Sequence, residues 1–205
     1  MHVIPNAIKP IFPHADKLAV RKSLGIAPDA ILLAAIGRLS AEKNLLRTLA
    51  GTARVPNVNI VLVGDGPQRS EIESYVASLG LNQRIVLVGH VDHQSAIDIL
   101  FAADVFVQLS HFEGRSIALL EALFAKKPIL ASDIEAQREV LTMDDGTLAG
   151  IVANPMDESA IAAAISTIAS SERLRLELGA KAGTLAARLD LGRMGQEYVA
   201  LLKGA

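Results

Sequence analysis

The stretch that decides the fold is residues 31–64, which read ILLAAIGRLSAEKNLLRTLAGTARVPNVNIVLVG. It begins with one apolar run, ILLAAIG, and ends with a second, NIVLVG; each is too short for a helix and too uniformly apolar for a half-exposed strand. Between them, residues 42–53 have the spacing of an amphipathic helix. Two buried strands joined by a helix are typical of a parallel sheet with right-handed crossovers.

The same alternation continues along the chain. Further apolar runs occupy residues 85–89, 105–110, 128–132 and 150–153, and stretches with helical spacing occupy residues 67–79, 93–102, 116–126 and 134–141. Beyond residue 157 the pattern is wholly helical, with helices expected at residues 157–170, 171–188 and 191–203. The sequence therefore predicts an α/β fold with a doubly wound, parallel, six-stranded Rossmann-like sheet and C-terminal helices.

A chain of 205 residues is long enough to bury a core of its own. No linker rich in Pro, Gly or Ser divides residues 1–205, so we expect a single domain. Residues 1–14, which contain Pro5, Pro10 and Pro13, are expected to form an extended lead-in.

The composition excludes several classes of function. Only 3% of the residues are aromatic and none is Trp, which argues against a protein that stacks single-stranded bases. Twenty basic residues against 22 acidic ones give a net charge of −2, so we expect no nucleic-acid partner. The absence of Cys excludes disulfides and thiolate chemistry. With no apolar run long enough to cross a bilayer, we expect a cytoplasmic protein, with association at a membrane surface left open.

Small residues close nearly every expected strand. In such sheets ligands bind outside the carboxyl ends of the strands, where a backbone without bulky side chains permits close approach. Their shared placement favours a ligand-binding face, and the alternative is that they only form tight turns. These residues are Gly37, Gly64, Gly89, Ser110 and Ser132.

The segment after the first strand suggests an anion site. Arg38 follows Gly37 at the strand end, and Lys43 is expected in the first turn of the next helix. An Arg fork, a Lys ammonium and the free amides of a helix start together suit a diphosphate. The alternative is that both are ordinary solvated charges.

The segment after the fourth strand contains two glutamates eight positions apart, Glu113 and Glu121. Glu113 stands in the loop beside Gly114, and Ser116 is a suitable N-cap for the next helix. One carboxylate could accept hydrogen bonds from ligand hydroxyls while the other faces the same crevice. The alternative is a surface loop charge at Glu113 and a solvent-facing helix carboxylate at Glu121.

Motifs of other enzyme classes are missing from the sequence. It has no P-loop, no G-x-S-x-G elbow and no G-x-G-x-x-G fingerprint, which argues against nucleotide triphosphatases, esterases and classical dehydrogenases. His90 and His93 stand three apart without the carboxylate of an H-E-x-x-H pattern, so we expect no metal site.

Six motifs, in order, make the chain resemble the C-terminal domain of retaining GT-B glycosyltransferases, the glycosyl transferases group 1 or glycosyltransferase family 4. The resemblance covers almost the whole chain. The motifs are VIPNAI at residues 3–8, GRLSAEKN at 37–44, VGDGP at 63–67, VGHV at 88–91, EGRSIALLEAL at 113–123 and KPILASD at 127–133.

The resemblance implies a role for each matching residue. Arg38 and Lys43 would hold the donor diphosphate, and Glu113 would bind hydroxyls of the transferred sugar; these three form the expected catalytic set. Glu121 would bind the ribose. The backbone of His90 and Val91 would border the base, and the amides of Ser116 and Ile117 would support the phosphates. The remaining donor-binding positions would be Gly37, Gly114 and Arg115. A UDP-, GDP- or ADP-sugar is the implied substrate, with no metal or other cofactor.

The chain also departs from the family pattern. Ala125-Lys126-Lys127-Pro128 replaces a usual glycine, and residues 135–139, EAQRE, replace a usual glycine-glycine-asparagine, so we expect differently shaped loops near the donor. The N-terminal acceptor domain of the family is missing, and would be supplied in cis or in trans.

Two hypotheses about function follow. The first is the donor-binding half of a retaining glycosyltransferase, transferring a sugar to a glycan or lipid-linked acceptor and inactive alone. The second is a non-catalytic interaction module, motivated by an apolar stripe on the last helix, with a sugar-nucleotide epimerase as a further alternative. The stripe consists of Met194, Tyr198, Leu201 and Leu202.

Overall fold

A computed structural model describes residues 7–189 and 191–203. Its strands are β1 (Ile31–Ile36), β2 (Val58–Val63), β3 (Ile85–Gly89), β4 (Val105–Gln108), β5 (Ile129–Ser132) and β6 (Ile151–Ala153). They form one six-stranded sheet in the order β3-β2-β1-β4-β5-β6, and every pair is parallel. The predicted fold class is confirmed.

Helices connect the strands and complete the C-terminal part. They are α1 (Lys17–Ser23), α2 (Leu45–Ala53), α3 (Arg69–Ser78), α4 (His93–Ala102), α5 (Ile117–Phe124), α6 (Glu135–Leu141), α7 (Glu158–Ser170), α8 (Glu172–Ala186) and α9 (Leu191–Leu202), with a short 3-10 turn at Ala41–Lys43. Residues 7–14 form neither helix nor strand, as predicted, whereas residues 1–6, and with them most of the VIPNAI motif, lie outside the described residues. None of the helices described is long and apolar enough to span a membrane.

The helices cover both faces of the sheet. On one face Leu33 of β1 packs in a cluster with α2, α3 and α7, and on the other face Leu32 and Ala34 pack with α4 and α1. Phe106 of β4 lies in a third cluster with α5 and α8. Because both faces are covered, the strands are apolar throughout, and each fully buried aliphatic side chain contributes about 1.5–3 kcal/mol.

The first helix, α1, was missed by the sequence analysis. Asp16 caps it, accepting hydrogen bonds from the backbone amides of Leu18 and Ala19 at 2.9 and 3.0 Å. Its Arg21 is buried and forms an ion pair with Asp104, which also accepts from the Leu32 amide at 2.9 Å. The same guanidinium donates to the carbonyls of Pro28, Ala30 and Ala102. This network joins α1 to β1 and β4.

The departure at Lys126 and Lys127 lies away from the edge where ligands bind in such sheets. Both residues precede β5 and therefore stand at the amino edge of the sheet, so the expectation that they reshape a donor loop is wrong. Lys126 adopts a φ of 52°, the left-handed conformation that glycine usually supplies. A Cβ built on Gly183 would lie 3.2 Å from the Lys126 side chain, so the Lys126 side chain packs against α8 at Gly183.

Lys127 makes stability depend on pH. Its ammonium donates to the carbonyls of Phe101 and Ala103, both at 2.7 Å, and burial, with a smaller contribution from the nearby Lys17 charge, lowers its pKa from 10.5 to about 8. The folded state therefore binds fewer protons than the unfolded state between pH 8 and 10.5. We expect this group to add about 2–3 kcal/mol to the free energy of unfolding as the pH rises through that window.

Urea unfolding of the wild type and of Lys127→Met at pH 7.5, 8.5 and 9.5 measures this contribution. The difference between the two proteins should grow with pH in favour of the wild type. Lys126→Met, at the exposed neighbouring lysine, is the control and should leave the pH dependence unchanged. A parallel pH dependence in Lys127→Met and the wild type would contradict the assignment.

Candidate functional site

The candidate site lies at the carboxyl edge of the sheet, between β1 and β4. These strands are neighbours, with Leu33 paired to Val105, but their connections leave in opposite directions, which makes this the topological switch point where such sheets bind ligands. A pocket opens here between the loops that follow the two strands. Its lining includes Gly37, Arg38, Lys43, Gln108 and Ser110.

The loop after β1 is held against the loop after β2 by direct backbone contact. Gly64 has a φ of 131°, and a Cβ built on it would lie 2.0 Å from the Gly37 carbonyl oxygen. The Leu39 amide donates to the Asp65 carbonyl at 3.0 Å. Two glycines thus let the loops approach, and this approach fixes the exposed Arg38 at the rim of the pocket.

Lys43 ends a 3-10 turn and does not begin the α-helix, which corrects the predicted helix over residues 42–53. The interruption is Asn44, whose φ of 54° is left-handed. Its buried side-chain amide donates to the carbonyls of Leu109 at 3.0 Å and Pro155 at 2.7 Å. These two bonds tie the turn to the end of β4 and thereby place Lys43 beside the loop that carries Glu113.

Lys43 and Glu113 are in direct contact. Lys43 Nζ lies 2.7 Å from Glu113 Oε1, and the two side chains are 23% and 8% exposed. The same oxygen accepts from Ser110 Oγ at 2.6 Å and from Gln108 Nε2 at 2.9 Å. Glu113 is therefore a nearly buried, triply bonded carboxylate and not a surface loop charge. In residues 7–189 and 191–203 no donor bonds its other oxygen, Oε2.

The start of α5 lies beside this carboxylate. Ser116 is the N-cap and accepts from the Leu119 amide at 3.3 Å, as predicted. Gln108 Nε2 donates to Ser116 Oγ at 3.0 Å, which links the cap to the Glu113 network. The first amides of the helix have no partner within the helix, and together with its dipole they favour an anion. Ile117 and Gly114 are exposed around this helix start.

Glu121 occupies a second position on α5 and contacts α4. It is 7% exposed, so it is not a solvent-facing carboxylate, and its Oε1 lies 2.6 Å from Nε2 of His93. His93 is the first residue of α4, close after the end of β3. His90 and Val91 precede it in the same connection. The contact with His93 thus joins the predicted ribose position on α5 to the connection that carries the predicted base positions.

The structure brings some predicted residues together and leaves others apart. Gly37, Arg38 and Lys43 line one pocket, and Glu113 is bonded to Lys43. His90 and Val91 follow β3, which β2 and β1 separate from β4. Arg115 contributes a buried Nε that has no hydrogen-bond partner among the described residues. Within that same part of the chain, no group of three His, Cys, Asp or Glu side chains could hold a metal ion.

Three residues of the site were not singled out by the sequence analysis. They are Asn44, Gln108 and, as the partner of Glu121, His93. Gln108 had a visible signal, because it is a polar residue inside the apolar run VFVQLS. The other two depend on contacts between distant segments, which spacing along the chain does not show.

Sequence comparison gives a consistent group of relatives. The family described as "Glycosyl transferases group 1" matches residues 16–184. The lipopolysaccharide core biosynthesis glycosyltransferase LpsD of Rhizobium meliloti is 31% identical over 160 residues, which cover 78% of this chain and 45% of LpsD. The alpha-D-kanosaminyltransferase of Streptomyces kanamyceticus is 25% identical over 194 residues, covering 92% of this chain and 49% of that enzyme. The chain thus spans about half the length of these relatives.

Solved structures share the fold. Anabaena HepE in complex with UDP superimposes with a TM-score of 0.82 at 21% identity, over 92% of this chain and 52% of HepE. The C-terminal domain of the group 1 family protein LpcC from Francisella tularensis superimposes with a TM-score of 0.74 at 21% identity, over 87% of this chain and 95% of that domain.

Proposed function

Because the chain belongs to the glycosyl transferases group 1 family and has the GT-B type of domain fold, we propose that it is the donor-binding domain of a retaining glycosyltransferase. It would hold a nucleotide-diphosphate sugar while an acceptor, a glycan or lipid-linked molecule, is presented by a further domain. The observation that carries the proposal is the Lys43–Glu113 pair in the β1–β4 crevice, with Arg38 lining the same pocket.

The cations of this crevice suit the leaving diphosphate. An ammonium has three donors, and Lys43 uses one of them on Glu113, which leaves two for phosphate oxygens. The exposed guanidinium of Arg38 can form a bidentate pair with the same group. Charge that develops on the diphosphate as the glycosidic bond breaks would then be stabilised by groups already in place, an effect commonly worth several kcal/mol.

Glu113 would hold the transferred sugar. Its Oε1 is occupied by three donors, so Oε2 is the oxygen that would accept a sugar hydroxyl. No side chain of the described pocket is an evident nucleophile, and we therefore propose no covalent intermediate. The proposed retention of configuration would follow if the acceptor attacks from the face that the diphosphate leaves.

The nucleoside would occupy the part of the edge near β3. Glu121, held by His93, would bind ribose hydroxyls, and the backbone of His90 and Val91 would border the base. The likeness to HepE, which binds UDP, favours UDP among the three candidates UDP, GDP and ADP. The site as proposed uses Arg, Lys and helix amides on the diphosphate and needs no metal or other cofactor.

The exposed face of α9 supports the second candidate function, an interaction module. Tyr198, Leu201 and Leu202 are exposed, and Met194 is partly buried. An apolar face of this kind suits a contact with another domain or chain, and the acceptor domain is the partner that the first proposal also needs. Light scattering at high concentration tests the second candidate function. Self-association of the chain would support an interaction role for α9, and a monomeric chain argues against that role.

Calorimetric titration of the folded chain with UDP, GDP and ADP tests the proposed function. We expect one of them to bind in the micromolar to millimolar range, and little or no sugar transfer by the chain alone. The nucleoside of whichever diphosphate binds (uridine, guanosine or adenosine) has the ribose but no phosphate; it is the control and should bind at least tenfold more weakly. Folded protein that binds none of the three diphosphates would refute the proposal.

A further inference from the structure

Two buried glutamines stand at the carboxyl edge of the sheet, and they differ in how their amides are used. Gln137 is 1% exposed; its Oε1 accepts from the Ser132 amide at 2.5 Å and its Nε2 donates to the Gln108 carbonyl at 3.2 Å. Both ends of that side chain are bonded. Gln108 is 8% exposed and donates through Nε2 to Glu113 and Ser116, but its Oε1 is buried and has no donor in the part of the chain that the structure describes.

The orientation of the Gln108 amide is fixed by its neighbours. Rotating the amide by 180° would turn its oxygen toward Glu113 Oε1, and two acceptors would then face each other at the present 2.9 Å. The NH2 group must therefore point to Glu113. The buried position of the amide oxygen, Oε1, follows from this requirement.

The two ends of the Gln108 side chain act on stability in opposite directions, because Nε2 donates to the nearly buried Glu113 whereas Oε1 has no donor among the described residues. A buried acceptor without a donor is destabilising, and an apolar side chain of the same size would avoid that penalty. The strand around it is apolar, with Phe106 fully buried in the core. Gln137, by contrast, links the ends of β4 and β5 with every polar atom bonded, as a structural glutamine does.

We propose that Gln108 is a positioning residue for Glu113, retained at the expense of stability. With Ser110 and Lys43 it fixes Glu113 Oε1, so that Oε2 presents one constant direction to the donor's sugar. Through Ser116 it holds the start of α5 in register with that carboxylate. This inference rests on the proposed function, in which Glu113 contacts the transferred sugar.

The test compares Gln108→Met with Gln137→Met, two substitutions of the same chemistry at the same edge. For Gln108→Met we expect a Tm equal to or above that of the wild type and an affinity for UDP-glucose about 10-fold lower, while UDP binds within twofold. For Gln137→Met we expect a Tm lower by about 5–10 °C, since two backbone groups lose their partners, and an unchanged ratio of the two affinities. If the wild type binds GDP or ADP and not UDP, the same comparison is made with GDP-glucose and GDP, or with ADP-glucose and ADP.

A structural role for Gln108 would give the opposite pattern. If Gln108→Met loses as much Tm as Gln137→Met, or weakens the diphosphate and the nucleotide sugar equally, the inference is overturned. If the wild type binds no nucleotide, the proposed function fails, and the Tm of Gln108→Met still decides whether this glutamine is a structural one. The two failures are therefore distinguishable.

Discussion

Lys43→Ala is expected to lower the affinity of the chain for its nucleoside diphosphate by about 30-fold, because a charge-assisted hydrogen bond to phosphate contributes about 2 kcal/mol. The substitution also leaves Glu113 without its cation, although Ser110 and Gln108 still donate to that carboxylate. We therefore expect only a small loss of stability beside a large loss of binding. Isothermal titration with UDP, GDP or ADP measures the affinity, and urea unfolding measures the stability.

Arg47→Ala is the matched control for Lys43→Ala. Arg47 carries the same charge, lies on α2 close after Lys43, and is not among the residues that line the pocket. Its removal changes the net charge of the chain equally, so any general electrostatic effect on nucleotide binding should appear in both variants. Equal weakening by the two substitutions, or no weakening by either, would remove Lys43 from the proposed diphosphate site.

Gly64→Ala is expected to be the most destabilising single substitution considered for this chain, lowering the free energy of unfolding by about 4 kcal/mol. Its Cβ would lie 2.0 Å from the Gly37 carbonyl oxygen, a backbone atom that cannot move without displacing the loop of Arg38. A φ of 131° adds strain for any residue with a Cβ. We expect a lower urea midpoint and the loss of detectable diphosphate binding in the protein that still folds.

Gly80→Ala separates these two causes. Gly80 also has a positive φ, 65°, but no atom of residues 7–189 or 191–203 lies within 4 Å of a Cβ built on it. The alanine there should cost about 1 kcal/mol from backbone strain alone and leave ligand binding intact. If both alanines destabilise the chain by the same amount, the close approach of the loops after β1 and β2 is not what Gly64 provides.

The sheet could be predicted from the sequence because its signal is local. A strand buried on both faces is a short continuous apolar run, and all six runs became strands. Two errors have the same origin in long-range contacts. The helix over residues 42–53 is broken at Asn44, whose side chain bonds Leu109 and Pro155, more than sixty positions away. The helix α1 has one weak local signal, the cap at Asp16, and a charged residue, Arg21, on its buried side.

The candidate site, like the fold, was predictable where the signal is local and not where it depends on contacts between distant segments. Residue types and spacing identified Lys43, Glu113 and Glu121 as candidates, but the bonds that define their chemical state could not be predicted from spacing. Lys43 is paired and not free, and Glu121 is held by His93, for which the sequence predicted neither a metal site nor any other role. Gln108 was visible in the sequence as a single polar residue in an apolar strand. Its role could not be predicted, because it depends on the bonds to Glu113 and Ser116 that only the fold brings within reach.

The contacts of the Arg21 guanidinium limit how far the chain can be truncated from its N-terminal side. A fragment trimmed to the first strand would discard both cations that pair with Asp104, Lys17 and Arg21, and would remove the Arg21 donor from the Ala102 carbonyl. Such a fragment keeps every strand yet exposes an unneutralised acid at the base of the two central ones. The smallest autonomous unit therefore starts no later than Asp16, well ahead of the sheet itself.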